Sequence, residues 1–322
     1  MIGRLYLIAM VGYVVVKRGV LGANGIEAIT RLMIDVIVPC SLAIAMIKGF
    51  QHGGMGLVSP LIIFLTLAIV ASALLTSLLF RFFPSKNPAV DRITSSLASL
   101  PNSFYIPMPI VNGLVPANLQ SLATMLVGGA VLAVNPLQWT LGLWLIMGDK
   151  RDTKDWRATL RGFTNGPVLG VITGILLAQI PAVVSAVKAE PDSNTLLRMF
   201  FGAAAMVGQL AGPMAMITVG AMIASTSVRR TFSIRHFFTI CFFRFLLIPG
   251  IAFYLIKNEL IPGGALVSLE LIVQAASPSA MNLAIATRRY GGDWETTSAM
   301  LFGVNIVAVF ALPLWIAATL SL

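Results

Sequence analysis

From Leu57 to Phe80, and again from Leu122 to Met147, the chain carries no charged side chain. Each run exceeds the roughly 20 helical residues needed to cross about 30 Å of hydrocarbon. With 57% apolar and 11% charged residues in 322, the composition is far from that of an average soluble domain. The fold class is therefore an all-α membrane protein. Ten transmembrane helices are read, at about 4–16, 32–47, 57–80, 93–113, 119–147, 164–187, 199–224, 236–256, 265–287 and 296–320. The longest polar stretch, Gly148 to Arg161, separates the fifth span from the sixth. It implies a first five-helix repeat at 1–147, a short cytoplasmic loop at 148–163 and a second repeat at 164–322.

The basic residues set the orientation. The net charge is +10, but the lysines and arginines are scattered over short loops, as topology signals beside anionic lipid are, rather than gathered into a nucleic-acid surface. Odd-numbered loops hold most of them, from Lys17, Arg18 and Arg31 through the Lys150–Arg161 stretch to Arg288 and Arg289. Even-numbered loops and the termini hold only Arg4, Lys48, Lys188, Arg198 and Lys257. By the positive-inside rule the odd loops are cytoplasmic and both termini face outside. Arg4 and the short apolar run after it lack a small-residue cleavage site and meet Lys17 and Arg18 at once, so they read as a first membrane helix. Cys40 and Cys241 fall inside apolar spans and suggest no disulfide framework. His52 and His236 lack ligand spacing to any partner, so neither a metal nor a cofactor is expected.

Five spans per half is an odd number, so a duplicated half must insert upside down. The offset that brings Pro101 onto Pro278 also brings Val127 onto Val304 and Pro136-Leu137 onto Pro313-Leu314. A slightly shorter one brings Pro39 of span two onto Pro213 of span seven. Two inverted five-helix repeats of this kind are a recurring plan of secondary transporters.

Pro101 and Pro278 lie near the middle of spans four and nine. Proline removes a backbone donor and clashes with the carbonyl four residues back. A broken backbone survives at membrane depth only where it is buried in protein or lines a cavity. Matched breaks in two halves point to a substrate site. Each break should expose N–H groups at the start of the following half-helix, where the dipole is positive and anions bind. Asn102, Ser103, Ser279 and Asn282 add uncharged donors and acceptors beside the breaks. A simple kink accounts for a lone proline; a matched pair flanked by Asn and Ser favours a site.

Three ionisable residues lie deeper than the loops. Asp35 follows Arg31 by one turn, and an i, i+4 ion pair accounts for it. Arg244 sits about 13 Å along the helix from Arg235, at 1.5 Å per residue, and a charge at that depth is a functional-site hypothesis by default. Glu270 is its partner or a proton carrier. A structural Arg–Glu pair or a snorkelling arginine accounts for the two equally well. Gln209, Gln274 and Asn305 are intramembrane polar groups that interhelical hydrogen bonding explains as well as ligand contact does. There is no phosphate loop, HExxH motif or nucleophile arrangement, so the reading is not an enzyme.

These residues resemble the auxin efflux carriers, the plant PIN-type carriers and their bacterial relatives, over nearly the whole chain. Leu100-Pro101-Asn102-Ser103 with Pro109 is similar to the family's LPN(T/S)…IP crossover in helix four. Met214-Ala215-Met216 with Gly220 resembles its helix-seven stretch; Pro278, Arg289-Tyr290-Gly291 and Leu312-Pro313 resemble its helix nine and ten pattern. The resemblance implies broken crossover helices 4 and 9, with Pro101, Asn102 and Pro278 at the crossover and in substrate contact. It also implies a homodimeric scaffold of helices 1, 2, 6 and 7 and an elevator-like transport domain of helices 3–5 and 8–10. The implied substrates are small organic anions: malate or malonate, or an auxin-like acid. Gly148 to Arg161 is far shorter than the central loop of the long plant carriers, and Pro107 is an extra break; both favour a bacterial-type carrier.

The expectation is thus a secondary transporter of a carboxylate-bearing anion in the cell membrane, with lipid, the anion and a second copy as its partners. Two alternatives remain at this stage: a cation-coupled symporter or antiporter with Glu270 or Asp35 as the titrating group, and a membrane anion sensor that moves nothing.

Overall fold

The computed structural model describes residues 2–49, 54–148, 164–190, 193–225, 233–281, 283–284, 287 and 293–322. The helices are α1 (Ile2–Lys17), α2 (Ala23–Gly49), α3 (Gly54–Phe82), α4 (Pro88–Ser99), α5 (Pro107–Leu114), α6 (Ala117–Met147), α7 (Gly166–Leu177), α8 (Pro181–Lys188), α9 (Thr195–Ser225), α10 (Ile234–Lys257), α11 (Gly264–Ala275) and α12 (Trp294–Leu320). Among the described residues no strand is present, and one isolated backbone bridge is the only β-type pairing.

Helix starts follow from local chemistry. Asn87, Asn165, Asn194 and Asp293 each accept a first-turn N–H, from Ala89, Val168, Leu196 and Thr296. Each therefore satisfies a donor that a helix end would otherwise leave open. Among the described residues, six helices are long and apolar enough to cross a membrane alone: α2, α3, α6, α9, α10 and α12. The chain is an all-α, multi-pass membrane protein.

The other four expected spans take different forms. Span one is α1, with 16 residues. Span four is divided into α4 and α5, and span nine opens as the 12-residue α11. Span six, expected as one helix over 164–187, consists of α7 and α8, bent by 108°. Pro181 is the cause. It has no N–H for the Leu177 carbonyl, and Ile180 before it takes an extended conformation, φ −99° and ψ 108°.

Two compact units divide the chain. The first is Met1–Leu61, Phe104–Leu132 and Thr164–Ser225; the second is Ile62–Ser103, Ala133–Phe163 and Thr226–Leu322. Within the first, α7 lies along the second half of α2, and α1 lies along the second half of α9. Both crossings run on missing side chains. A Cβ at Gly170 would stand 2.6 Å from the Pro39 Cα, with Gly166 and Gly174 equally close to the α2 backbone. At Gly220 it would stand 1.7 Å from the Ala9 carbonyl oxygen. Small residues at four-residue spacing let membrane helices approach at backbone distance. A small apolar core joins Ile44, Ile47, Val183, Val184 and Phe201.

Within the second unit, α4 packs on the start of α10 and the end of α6, and α11 packs on α10 and α12. At the start of α10, His236 Nε2 and Asp91 Oδ1 are 2.7 Å apart, both buried. The His236 ring stacks on Phe80, and the Arg235 guanidinium lies over the same Phe80 ring while donating to the Phe83 carbonyl. Elsewhere, apolar side chains such as Leu67, Leu74, Phe200, Phe310 and Leu314 are exposed, as lipid-facing surfaces are.

Candidate functional site

Helix α4 ends where its sequence removes a donor. Pro101 has no N–H for the Leu97 carbonyl, and Leu100 before it turns extended, φ −99° and ψ 110°. In α11 the same logic applies, with Pro278 withholding a donor from the Gln274 carbonyl. The two unwound segments run antiparallel, Pro101 opposite Ser279. Asn102 N–H donates to the Pro278 carbonyl at 2.7 Å, and Ala280 N–H donates to the Leu100 carbonyl at 3.0 Å. Pro101 and Ser279 form the pair that exchanges no bond of its own, so the missing amide costs the bridge nothing.

The carbonyls left open by the breaks are met from elsewhere in the second unit. Ser279 Oγ donates to the Leu97 carbonyl at 2.6 Å. Arg244 Nε donates to the Ser277 carbonyl at 3.0 Å, and its Nη2 reaches the carbonyls of Ser277, Ala275 and Gln274 at 2.6, 3.1 and 3.3 Å. Arg244 sits on a π-helical turn, Phe243–Leu247, just ahead of Pro249. The proline leaves the Phe245 carbonyl without its usual donor, and Trp315 Nε1 takes it at 2.8 Å. A cation at the carbonyl end of α11 also matches the negative pole of that helix.

Glu270 faces a different partner. Gln274 Nε2 donates to Glu270 Oε1 at 2.7 Å and to the Ser103 carbonyl at 3.1 Å, tying the carboxyl to the end of the first break. Glu270 Oε2 and Gln274 Oε1 are buried without a hydrogen-bond partner among the described residues. No ion pair among those residues joins Glu270 to Arg244, so the Arg–Glu pair is replaced by two separate sets of bonds. Snorkelling is excluded as well, since Arg244 is 1% exposed.

Pro101, Asn102, Ser103, Pro278 and Ser279 are thus brought together and buried, with Arg244 and Glu270 flanking them. Asn282 lies outside the described residues, as do Arg289-Tyr290-Gly291, residues 149–163 and His52. Asp35 belongs to the first unit, exposed on a π-helical turn ahead of Pro39. Arg31 bonds back to Glu27 at 2.6 Å rather than forward to Asp35, because the turn at Met33–Ile37 breaks the i, i+4 register. Gln209 is exposed, and Asn305 donates to the Leu301 carbonyl within α12.

The amide display expected at the start of α5 is absent. Pro107 and Pro109 have no N–H, while Met108 and Ile110 donate to the carbonyls of Phe104 and Ile106. Leu97 was not singled out in the sequence. The signal was available, because a proline always strips the carbonyl four residues back. Among the described residues no group of three or more His, Cys, Asp or Glu could hold a metal ion.

Among the described residues, six helices long and apolar enough to cross a membrane, and two further helices that end at prolines whose unwound segments meet in one bridge, fit the class of helical membrane transporters. The family model described as membrane transport protein matches residues 2–156 and 153–316. The chain belongs to that family, the auxin efflux carrier and membrane transport family, and is a membrane transporter. Among curated proteins none matches the chain significantly.

Proposed function

We propose that the protein is a secondary carrier of a small carboxylate-bearing organic anion, such as malate, malonate or an auxin-like acid. Substrate binds at the helix 4/9 crossover, and transport follows an elevator-like alternating-access cycle. The observation that carries this reading is the pair of main-chain bonds between Leu100–Asn102 and Pro278–Ala280. They hold two unwound, polar segments at a depth where broken backbone persists only around a cavity or inside protein. With the first-turn amides of α5 taken, the carboxylate is held by side chains, Asn102 and Ser103 foremost, with Ser279 and Asn282 beside them.

The rest of the plan is part of the same proposal. Ten spans form two inverted repeats, with helices 3–5 and 8–10 moving against a scaffold of helices 1, 2, 6 and 7 that pairs with a second copy. Its support is that α1, α2, α7, α8 and α9 fall wholly in one compact unit and α4, α10, α11 and α12 in the other, although α5 falls with the first and α3 and α6 are divided between the two. The protein resides in the cell membrane with both termini outside the cytoplasm, as the loop charges require.

The test is uptake of labelled malate, malonate, succinate and indole-3-acetate into proteoliposomes. Saturable uptake of one of them is expected, with affinity reduced about tenfold or more in Asn102→Ala, since a bond to a charged group is lost. Unchanged transport in that variant would remove the site. A cation-coupled carrier is a second reading, favoured by Glu270 Oε2, which is buried without a hydrogen-bond partner among the described residues. It requires that accumulation follow a sodium or proton gradient in the wild type and cease to do so in Glu270→Gln.

A further inference from the structure

Among the described residues, every polar contact that Arg244 makes is to a main-chain carbonyl: Ser277 through Nε and Nη2, and Ala275 and Gln274 through Nη2. A guanidinium this buried, touching no carboxylate among the described residues, is spending its fixed fork of donors on the last turn of α11 and the segment that follows it. That turn is short of donors. Pro278 has no N–H for the Gln274 carbonyl, which Ser277 N–H reaches only at 3.3 Å, and Ser277 Oγ is committed to the Val273 carbonyl. The clamped residue Ser277 immediately precedes Pro278, whose carbonyl receives the Asn102 amide.

We propose that Arg244 is the positioning residue of the crossover: its guanidinium replaces the amide donor that Pro278 removes and holds Ser277–Ala280 in register with Leu100–Asn102. Its consequence for transport rests on the carrier reading above; its effect on the crossover does not. The role is one of geometry and not of charge alone. Bonding three carbonyls along one edge requires a planar fork, which a lysine ammonium on a flexible stem does not supply. The π-helical turn at Phe243–Leu247 is what brings the fork to bear, and Trp315 holds that turn through the Phe245 carbonyl.

Hydrogen exchange of the full-length protein in lipid nanodiscs, followed by mass spectrometry, tests this in Arg244→Lys and Arg244→Met. The Asn102 and Ala280 amides are expected to exchange roughly tenfold faster or more in both variants, with α12 protected as in the wild type. Wild-type protection in Arg244→Lys would overturn the proposal, because charge alone would then suffice. Loss of protection throughout α12 in Arg244→Lys would also overturn it, since the residue would be stabilising the protein generally. If Arg244→Met unfolds, the lysine variant decides. Malate uptake by the same samples provides the second readout. A raised KM in Arg244→Lys is expected from a displaced binding segment, whereas lost stability alone lowers the maximal rate at unchanged KM, an outcome that would count against the proposal. A wild type that moves no malate while the exchange pattern holds would remove malate as the substrate and leave Arg244 in its role.

Discussion

A single hydroxyl carries the first break. Ser279 Oγ is the donor that the Leu97 carbonyl receives once Pro101 has withdrawn its own. Ser279→Ala leaves that buried carbonyl unsatisfied, which costs about 1–3 kcal/mol; a lower unfolding temperature in detergent is the expected outcome. Asp91 is a second residue with a defined consequence; it sits in the first turn of α4, two residues ahead of Ile93, where the apolar stretch read as the fourth span begins. Burial alone would raise its carboxyl, but the bonds from His236 and Ser85 outweigh that effect and hold it below its ordinary value. The folded protein therefore ionises Asp91 more readily than the unfolded chain does. Its stabilisation is complete above the unfolded carboxylate value near 4 and is lost as the pH falls through the lower folded value. Scanning the unfolding temperature from about pH 5 to about pH 3 should show a steeper fall in the wild type than in Asp91→Asn. Parallel curves would remove the linkage.

At the scale of the helices, the prolines and glycines decide. The break at Pro101 was legible because Pro278 matches it in the other half with Asn and Ser beside both; a proline alone does not decide, since Pro60, Pro136 and Pro313 stay inside continuous helices. The bend at Pro181 follows from the same lost donor, yet Gly166 to Lys188 reads as one apolar stretch, and periodicity does not separate a proline that bends such a run from one that stays within a helix. The stripe Gly166, Gly170 and Gly174 was also present in the sequence; its meaning depended on Pro39 and Ala43 of α2, far away in the chain. Gly170→Val forces a side chain against the Pro39 backbone and is expected to cost about 1–3 kcal/mol or more in thermal unfolding. Gly202→Ala, with nothing within 4 Å of the new methyl, is the near-neutral control. Pairings such as His236 with Asp91, 145 residues apart, or Arg244 with the carbonyls of α11, 30 or more residues on, were not legible, because hydropathy and spacing do not report which groups meet across such separations.

For the molecule as a whole, the membrane class could be read from composition and the family from the order of its motifs, whereas the number of continuous helices could not. A ten-span plan counts apolar stretches; among the described residues six helices are long enough to cross alone, because lipid tolerates interrupted ones where other protein groups satisfy them. The orientation that the loop charges require leads to a direct check. With Cys40 and Cys241 replaced, a membrane-impermeant thiol reagent added to intact cells is expected to label Lys188→Cys and to spare Lys86→Cys until the membrane is opened. The reverse pattern would invert the topology. Among the described residues, the two units meet the chain at different places from the repeat boundary, each drawing on both halves of the sequence. Fragments cut at the central loop are therefore expected not to fold separately, and to regain protease resistance only when co-expressed.

The bridge at the crossover is written in main-chain atoms. The amides of Asn102 and Ala280 and the carbonyls of Pro278 and Leu100 make its two bonds, and any residue other than proline at 102 or 280 brings the same amide. The frame is therefore indifferent to the chemistry displayed on it. Under the carrier reading, exchanging Asn102 or Ser103 would change what the crossover recognises while the two unwound segments that hold it keep their spacing. A lineage built on such a frame can wander among substrates one substitution at a time, without having to reinvent the fold at each step.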